Sequence, residues 1–285
     1  MNKKILLTGA SGFLGHYLCL DKPVDIDIHG LHLHNAPPAN IESTACDLQN
    51  EKSLLETLRK IKPQGIVHTA AISNPQHCEE NPALSKKVNI QASAVLAKYA
   101  ADQNIPFVFT STDLVFDGKK GNYTEKDQPN PLNIYGLQKV EAEQEILRVY
   151  SNAAICRMPL MLGNAEGFHE KFLQQFLSKT TKKESMPLFT DEYRSPLGGN
   201  SAAKGLWLAL EKMQGLYHLG GTERLSRWGL GLIIAEKFGI DKQLLKAGKQ
   251  ADLKGKAPRP ADVSLNSSKA VKLDFKPKRI AEDLD

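Results

Sequence analysis

An α/β fold with a doubly wound parallel sheet is predicted for this chain on three observations. Short apolar runs of strand length alternate with helical patterns from the first residues onward. The first run, Lys4 to Leu7, leads directly into three glycines spaced three apart, Gly9, Gly12 and Gly15. The chain has 285 residues, 41% apolar and 24% charged, enough for one large domain or two entwined ones.

The stretch Ile5 to Gly15 organises the rest. Its bounded apolar run suits a strand buried on both faces. Gly9 takes the tight turn, because glycine tolerates positive φ. Gly12 has no Cβ, so the backbone can approach a pyrophosphate, and Gly15 lets the next helix pack closely on the strand. With Ser11 in the turn, a helix beginning near Gly12 and running through Phe13 and Leu14 aims free N–H groups and its positive end at phosphates. This is the logic of a Rossmann-like dinucleotide turn, with G-x-x-G-x-x-G in place of G-x-G-x-x-G. A glycine turn without a ligand is the weaker reading, because the motif sits directly behind the first strand.

The remaining elements follow in order. Val24 to Leu31 is expected as a second strand, with His32 to Asn35 running into Pro37-Pro38. Ala45 to Leu48 would end a third strand. Glu51 to Lys60 is amphipathic, with Leu54, Leu55 and Leu58 on one side. Gly65 to His68 is a fourth strand, and a helical pattern from Asn81-Pro82 reaches Gln103. Phe107 to Thr112 is a fifth strand; Pro129 and Pro131 then exclude helix until about Ile134, which starts a helix to about Tyr150. Ala153 to Arg157 is a sixth strand. Later come helical patterns at Phe168–Thr180, Ser201–Met213 and Trp228–Phe238. Short extended pieces lie at 187–189, 194–197 and 215–219, and Pro258 to Asp285 has little periodicity. The expected division is a dinucleotide-binding domain over 1–160, to which 200–235 returns, and a smaller C-terminal substrate lobe over 161–285.

Composition removes several function classes. No apolar run is long enough for a membrane span, and no signal peptide is visible. Cys19, Cys46, Cys78 and Cys156 are widely separated, which fits reduced thiols in a cytoplasmic protein. The net charge of +5 is concentrated late, in Lys246 to Lys256 and at Lys276, Lys278 and Arg279. No aromatic residues interleave these lysines, so they are read as a solvated face, not a nucleic-acid patch, and would steer an anionic substrate. His29, His32 and His34 have no acidic or cysteine partner beside them in sequence, so no metal site is expected.

The chemistry gathers around Tyr135 and Lys139. Four residues apart on a predicted helix, they share one face. A nearby ammonium is expected to lower the tyrosine pKa and so fit it for proton transfer to a substrate oxygen. Thr112 ends a parallel strand, where ligands bind in such sheets, and its hydroxyl would hold the same oxygen. The expected end of the second strand carries no carboxylate to repel a ribose 2′-phosphate. It carries no arginine to clamp one either, although His32 or His34 could donate a hydrogen bond. The lean is therefore toward NADP over NAD.

Together the glycine turn, Asp47-Leu48, Thr69-Ala70-Ala71, Thr112 and Tyr135-x-x-x-Lys139 resemble the extended short-chain dehydrogenase/reductases. Within them, Ser111-Thr112-Asp113-Leu114-Val115-Phe116-Asp117-Gly118 resembles the S-T-D-Y-V-F-x-G stretch of dTDP-4-dehydrorhamnose reductases. Pro131 to Gly136 is similar to their P-x-N-x-Y-G, and Arg259-Pro260 with Ser264-Leu265 to a late R-P element. The resemblance implies an NAD(P)-dependent reductase of a keto group on a nucleotide-linked sugar. It implies Tyr135 as acid/base, Lys139 on the nicotinamide ribose and Thr112 with Asp113 at the substrate carbonyl. It also implies Asp47 and Leu48 along the adenine, Thr69 to Ala71 behind the cofactor, Asn89 in the bordering helix and Met158 near the nicotinamide. Tyr193 and Arg194 fall where the family's loop lines the substrate cleft. Two departures touch the substrate side: Arg157-Met158-Pro159-Leu160 stands where the family tends to carry R-T-S-W, and Ala70 to Gln76 where it carries A-A-Y-T-x-V-D. A second reading is a non-catalytic dinucleotide-binding subunit, since the methionine adenosyltransferase beta subunit resembles the same branch. A homodimer is compatible with either.

Overall fold

A computed structural model describes residues 2–163, 171–252 and 259–284. Its centre is a seven-stranded sheet in which every pairing is parallel. The strands are β1 (Lys3–Thr8), β2 (Ile26–His32), β3 (Glu42–Ala45), β4 (Gly65–His68), β5 (Phe107–Thr112), β6 (Ala154–Met158) and the late β11 (Gly215–His218). Their order is β11-β6-β5-β4-β1-β2-β3, so the chain reverses direction across the sheet between β1 and β4. Register brings Thr8 beside His68 and Thr112 beside Met158, which aligns the carboxyl ends of the strands.

Helices cover both faces. On one, α1 (Phe13–Leu20) packs against α8 (Gly199–Lys212) over Ile5, Leu7, Val67 and Val108. On the other, α2 (Glu51–Ile61), α5 (Ala92–Gln103) and α6 (Ile134–Val149) cover Leu6, Ile66, Phe107 and Phe109. The alternation of inward side chains along β1 explains why its run reads apolar throughout. Of the stretch 200–235, residues up to His218 lie on this sheet, as β11 and α8.

A second, smaller core collects α7 (Lys171–Thr181), α9 (Arg227–Lys237) and the short strands β8 (Met186–Phe189) and β13 (Leu245–Gly248) around Phe176, Leu188, Leu230 and Ile234. Further short pairs are β7 (Met161–Leu162) with β10 (Leu197–Gly198), and β9 (Tyr193–Arg194) with β12 (Leu225–Ser226). Near the end lie α10 (Ser268–Val271) and α11 (Ile280–Asp283).

Two expectations are corrected. The second strand begins at Ile26, because Val24 is 92% exposed and lies in a turn closed by the Ile26 N–H on the Pro23 carbonyl. The third strand ends at Ala45, so Asp47 and Leu48 lie beyond it. The helix expected from Asn81-Pro82 to Gln103 is present, with one feature not read from sequence: α4 (Pro82–Lys86) passes without a break through a π turn at Lys87–Gln91 into α5. A further helix, α3 (Pro75–Glu80), precedes it, capped by the Asn74 side chain with Pro75 at its first position. Phe168 and the lysines at 254 and 256 lie outside the described residues. The four cysteines are free thiols. No helix among the described residues is long and apolar enough to cross a membrane.

Candidate active site

The glycine turn is built as a cradle. Gly9 has φ +70°, and a Cβ there would sit 2.8 Å from Thr69 Oγ1 and 2.9 Å from the Ala70 nitrogen. A Cβ on Gly15 would collide with the Gly9 carbonyl, so helix and turn touch backbone to backbone. Gly12 is exposed and is the N-cap of α1; no side chain caps that end and no acidic residue occupies its first turn. The N–H groups and the positive end of the helix are therefore available to an anion. Ser11, Phe13 and Leu14 flank it, with Leu14 buried in the core.

Below the cradle runs a chain of buried polar groups. Thr8 Oγ1 lies 2.6 Å from His68 Nδ1 and accepts from the Ala70 N–H at 3.2 Å. Thr69 Oγ1 donates to the Thr8 carbonyl at 2.7 Å. His68 Nε2 is 2.8 Å from Ser93 Oγ, which donates to the Asn89 carbonyl. Asn89, in the π turn, holds Ile72 through both its amide groups and donates to Gln138 Oε1 at 2.9 Å. Burial first, then the Lys139 charge, pushes His68 down to about 3, so its ring is neutral at pH 7. His32 ends β2, with its Nδ1 buried and unpartnered among the described residues. Asp47 is exposed and accepts from the Gln49 N–H.

Tyr135 and Lys139 stand on α6, whose start is fixed by the residues before it. Asn133 caps it by accepting from the Gly136 N–H at 2.8 Å. A Cβ on Gly136 would lie 2.9 Å from that of Pro131 and strike the Leu114 carbonyl, so the helix is pressed onto the 113–115 turn. Thr112 opens that turn, its hydroxyl accepting from the Leu114 N–H. The loop beyond is tied to the late R-P segment: Asp262 N–H donates to the Gly118 carbonyl at 3.0 Å and Tyr123 N–H to the Ser264 carbonyl at 2.8 Å.

Thr112, Asp113 and Tyr135 line a cavity of about 850 Å³ at the carboxyl ends of β5 and β6. Its other walls are Ser73 to Gln76, Pro159 to Met161, Gln175, Arg194, Arg227 and Arg259-Pro260. Met158 is buried opposite Thr112. Tyr193 instead stacks its ring under Arg224, 3.7 Å away. A second cavity, about 890 Å³, opens between α2 and α5 near the amino ends of β4 and β5; none of the expected site residues lines it.

The electrostatics of the main cavity are set by burial. Burial, then the Asp113 carboxylate and the Cys78 thiol, push the Tyr135 phenol well above its ordinary value, opposed by a hydrogen bond with Thr112. The expected lowering by Lys139 is corrected here. Lys139 Nζ donates to the Thr110 carbonyl at 2.8 Å and lies 4.3 Å from the centre of the Phe109 ring. Burial pushes Lys139 itself down to about 7, against the Glu143 carboxylate and, more weakly, Cys78. Asp113 is raised by burial against the pull of Arg194, whose Nη1 lies 2.7 Å from its Oδ1; its Oδ2 has no partner among the described residues.

The sequence reading missed an acid–base cluster at the far wall. Glu192 is fully buried, with Arg227 Nε at 2.8 Å, Arg259 Nη1 at 2.9 Å and Arg194 Nη2 at 3.6 Å. Burial would raise this carboxyl, but Arg227, Arg194 and Arg259 hold it at about 2. Counting Asp113, which Arg194 also meets, two carboxylates stand among three guanidiniums, which leaves the wall positive. Arg194, in the expected cleft loop, and Arg259, in the R-P element, carried a signal; Glu192 and Arg227 did not, and Arg227 opens an ordinary helix 35 residues away from Glu192.

Residues 3–285 match the model of the RmlD substrate binding domain family. A methionine adenosyltransferase 2 subunit beta from Danio rerio is 30% identical over 275 residues, covering 94% of this chain and 84% of that protein. A probable low-salt glycan biosynthesis reductase, Agl14, from Haloferax volcanii is 29% identical over 267 residues, with 92% and 89% covered. The crystal structure of a hypothetical dTDP-4-dehydrorhamnose reductase from Sulfolobus tokodaii superimposes with a TM-score of 0.87, at 29% identity and 99% coverage of both chains.

Proposed function

The chain belongs to the RmlD substrate binding domain family, and on that footing we propose that it reduces a keto group on a nucleotide-linked sugar, using a nicotinamide cofactor. The observation that carries the reading is one cavity in which an acid, Tyr135, and a hydroxyl, Thr112, face a wall of three arginines. The arginines suit a diphosphate, since planar guanidiniums match phosphate oxygens.

The chain's residues divide the work. Gly9, Ser11, Gly12, Phe13, Leu14 and Gly15 receive the pyrophosphate at the uncapped end of α1. His32 stands at the adenosine ribose and supports the lean to NADP, with Asp47 and Leu48 along the adenine. Thr69, Ala70, Ala71 and Asn89 back the nicotinamide half, Met158 flanks it, and Lys139 binds its ribose. When bound, the cofactor supplies the hydride. Thr112 and Asp113 orient the carbonyl, and Tyr135 gives its phenolic proton to the oxygen as the carbon is reduced. A phenol raised by burial is protonated at neutral pH, as an acid in this direction must be. Arg194 positions Asp113, and Tyr193 braces the lobe beside it.

A second reading, a dinucleotide-binding subunit without turnover, is favoured by one observation. Pro159 and Leu160 stand where an aromatic group against a sugar is expected. Loss of NADPH absorbance with a panel of nucleotide-linked keto sugars separates the two. Turnover of any of them supports the reductase; cofactor binding with no turnover across the panel refutes it in favour of the subunit.

A further inference from the structure

Behind the reacting groups lies a buried ion pair with no part in the reading above. Glu143 is one turn past Lys139 and two past Tyr135, so the three share a face of α6. Its side chain is 7% exposed, and that of Arg157, from β6, is 3%. Arg157 donates to the two carboxylate oxygens through Nη2 at 2.7 Å and Nε at 3.0 Å, and Ser111 Oγ donates to Oε1 as well. Ser111 and Arg157 immediately precede Thr112 and Met158, the last residues of their strands. The Arg157 guanidinium also lies 5.0 Å over the Phe116 ring and 3.5 Å from His218 Nε2 on β11. The carboxylate is therefore anchored to α6, β5 and β6 at the edge of the site.

Lys139 faces a short set of groups. From β5 it meets the Thr110 carbonyl and the Phe109 ring. From α3 the Cys78 thiol acts on it, and on β4 the neutral His68 feels its charge. Its own helix contributes Tyr135 and Glu143, and Arg157 of β6 is engaged by Glu143. Glu143 is thus the carboxylate that opposes the burial of the Lys139 ammonium.

We propose that Glu143 is the positioning residue of the Tyr135–Lys139 pair: Arg157 and Ser111 hold its carboxylate, and the carboxylate favours the ammonium form of Lys139, buried one turn behind Tyr135 on α6. Its effect on turnover rests on the reductase reading, but the charge on Lys139 is measurable in the free protein.

The test is a titration of the lysine Cε resonances by NMR in ¹³C-lysine-labelled full-length protein, with Lys139→Arg identifying the signal. Glu143→Gln is expected to lower the Lys139 midpoint by at least about half a pH unit, the effect of one buried neighbouring charge. Ile146→Ala, a core truncation on the same helix, should leave it in place. If Glu143→Gln does not fold, Glu143→Gln combined with Arg157→Met removes the arginine left without its carboxylate, and its Lys139 midpoint should lie below that of Arg157→Met alone by a similar amount. A midpoint equal to wild type in the folded variant overturns the proposal. Under the reductase reading the basic limb of kcat/KM moves to lower pH in step. A shifted midpoint in a protein that turns over no keto sugar keeps the proposal and refutes the reductase reading.

Discussion

Replacing Glu192 by glutamine should weaken the fold while strengthening anion binding. The carboxylate is fully buried between Arg227 and Arg259 at 2.8 and 2.9 Å, with Arg194 at 3.6 Å. Its folded value of about 2 lies below the ordinary 4.5. Each unit of that difference corresponds to about 1.4 kcal/mol, so ionised Glu192 contributes on the order of 3 kcal/mol at pH 7. Because the folded value is depressed, this contribution is complete well above the ordinary value and disappears as pH falls toward 2. Urea denaturation of both proteins at pH 7, 5, 4 and 3 reads it directly. The stability gap should be about 3 kcal/mol at pH 7 and about half that at pH 3. The same substitution releases Arg227 and Arg259 into the cavity, so a nucleoside diphosphate should bind the variant more tightly than wild type, with the gain shrinking in high salt. A gap that does not change with pH would show that the arginines do not hold the carboxylate ionised. Weaker diphosphate binding in a folded variant would show that this wall is not where the anion sits.

Other outcomes are expected. Tyr135→Phe removes the proton and keeps the ring, so turnover should fall by ~10²–10⁴ while cofactor affinity, followed by fluorescence titration, is unchanged; a loss under tenfold assigns the proton to another group. Gly12→Asp puts a good N-cap on α1 and so should keep thermal stability, yet isothermal calorimetry should show NADPH affinity falling on the order of 100-fold as the carboxylate takes the phosphate's place. Lys139→Met should be more stable than wild type at pH 7, because the wild-type lysine is held at about 7 against an ordinary 10.5. Between those values the unfolded chain binds more protons, so wild type gains about 1 kcal/mol per pH unit in urea titrations from pH 7 to 8.5 and closes the gap. Dissociation constants should favour NADPH over NADH, and His32→Ala should erase the preference.

The sequence by itself determined the parts of this protein governed by neighbours along the chain. A strand, a turn and a helix start are decided within a few residues, so Lys3 to Gly15 could be read directly, and positive φ at Gly9 follows from the turn it makes. The spacing of Tyr135 and Lys139 sets a shared helix face wherever that helix lies. Pro129 and Pro131 bar helix ahead of Ile134 in the same local way. What only the tertiary structure decided is the environment of those groups. Whether Lys139 is an ammonium depends on how deeply α6 is pressed onto β5, and on a carboxylate held by a residue of β6. The helix expected from Asn81-Pro82 to Gln103 contains a π turn that seats Asn89 against Ile72 and Gln138, partners far from it in the chain. The positive wall joins Glu192 and Arg194 of one segment with Arg227 and Arg259 of two others. No periodicity links them, because the force that gathers them, attraction strengthened by exclusion of water, acts only after the lobe has closed over the sheet.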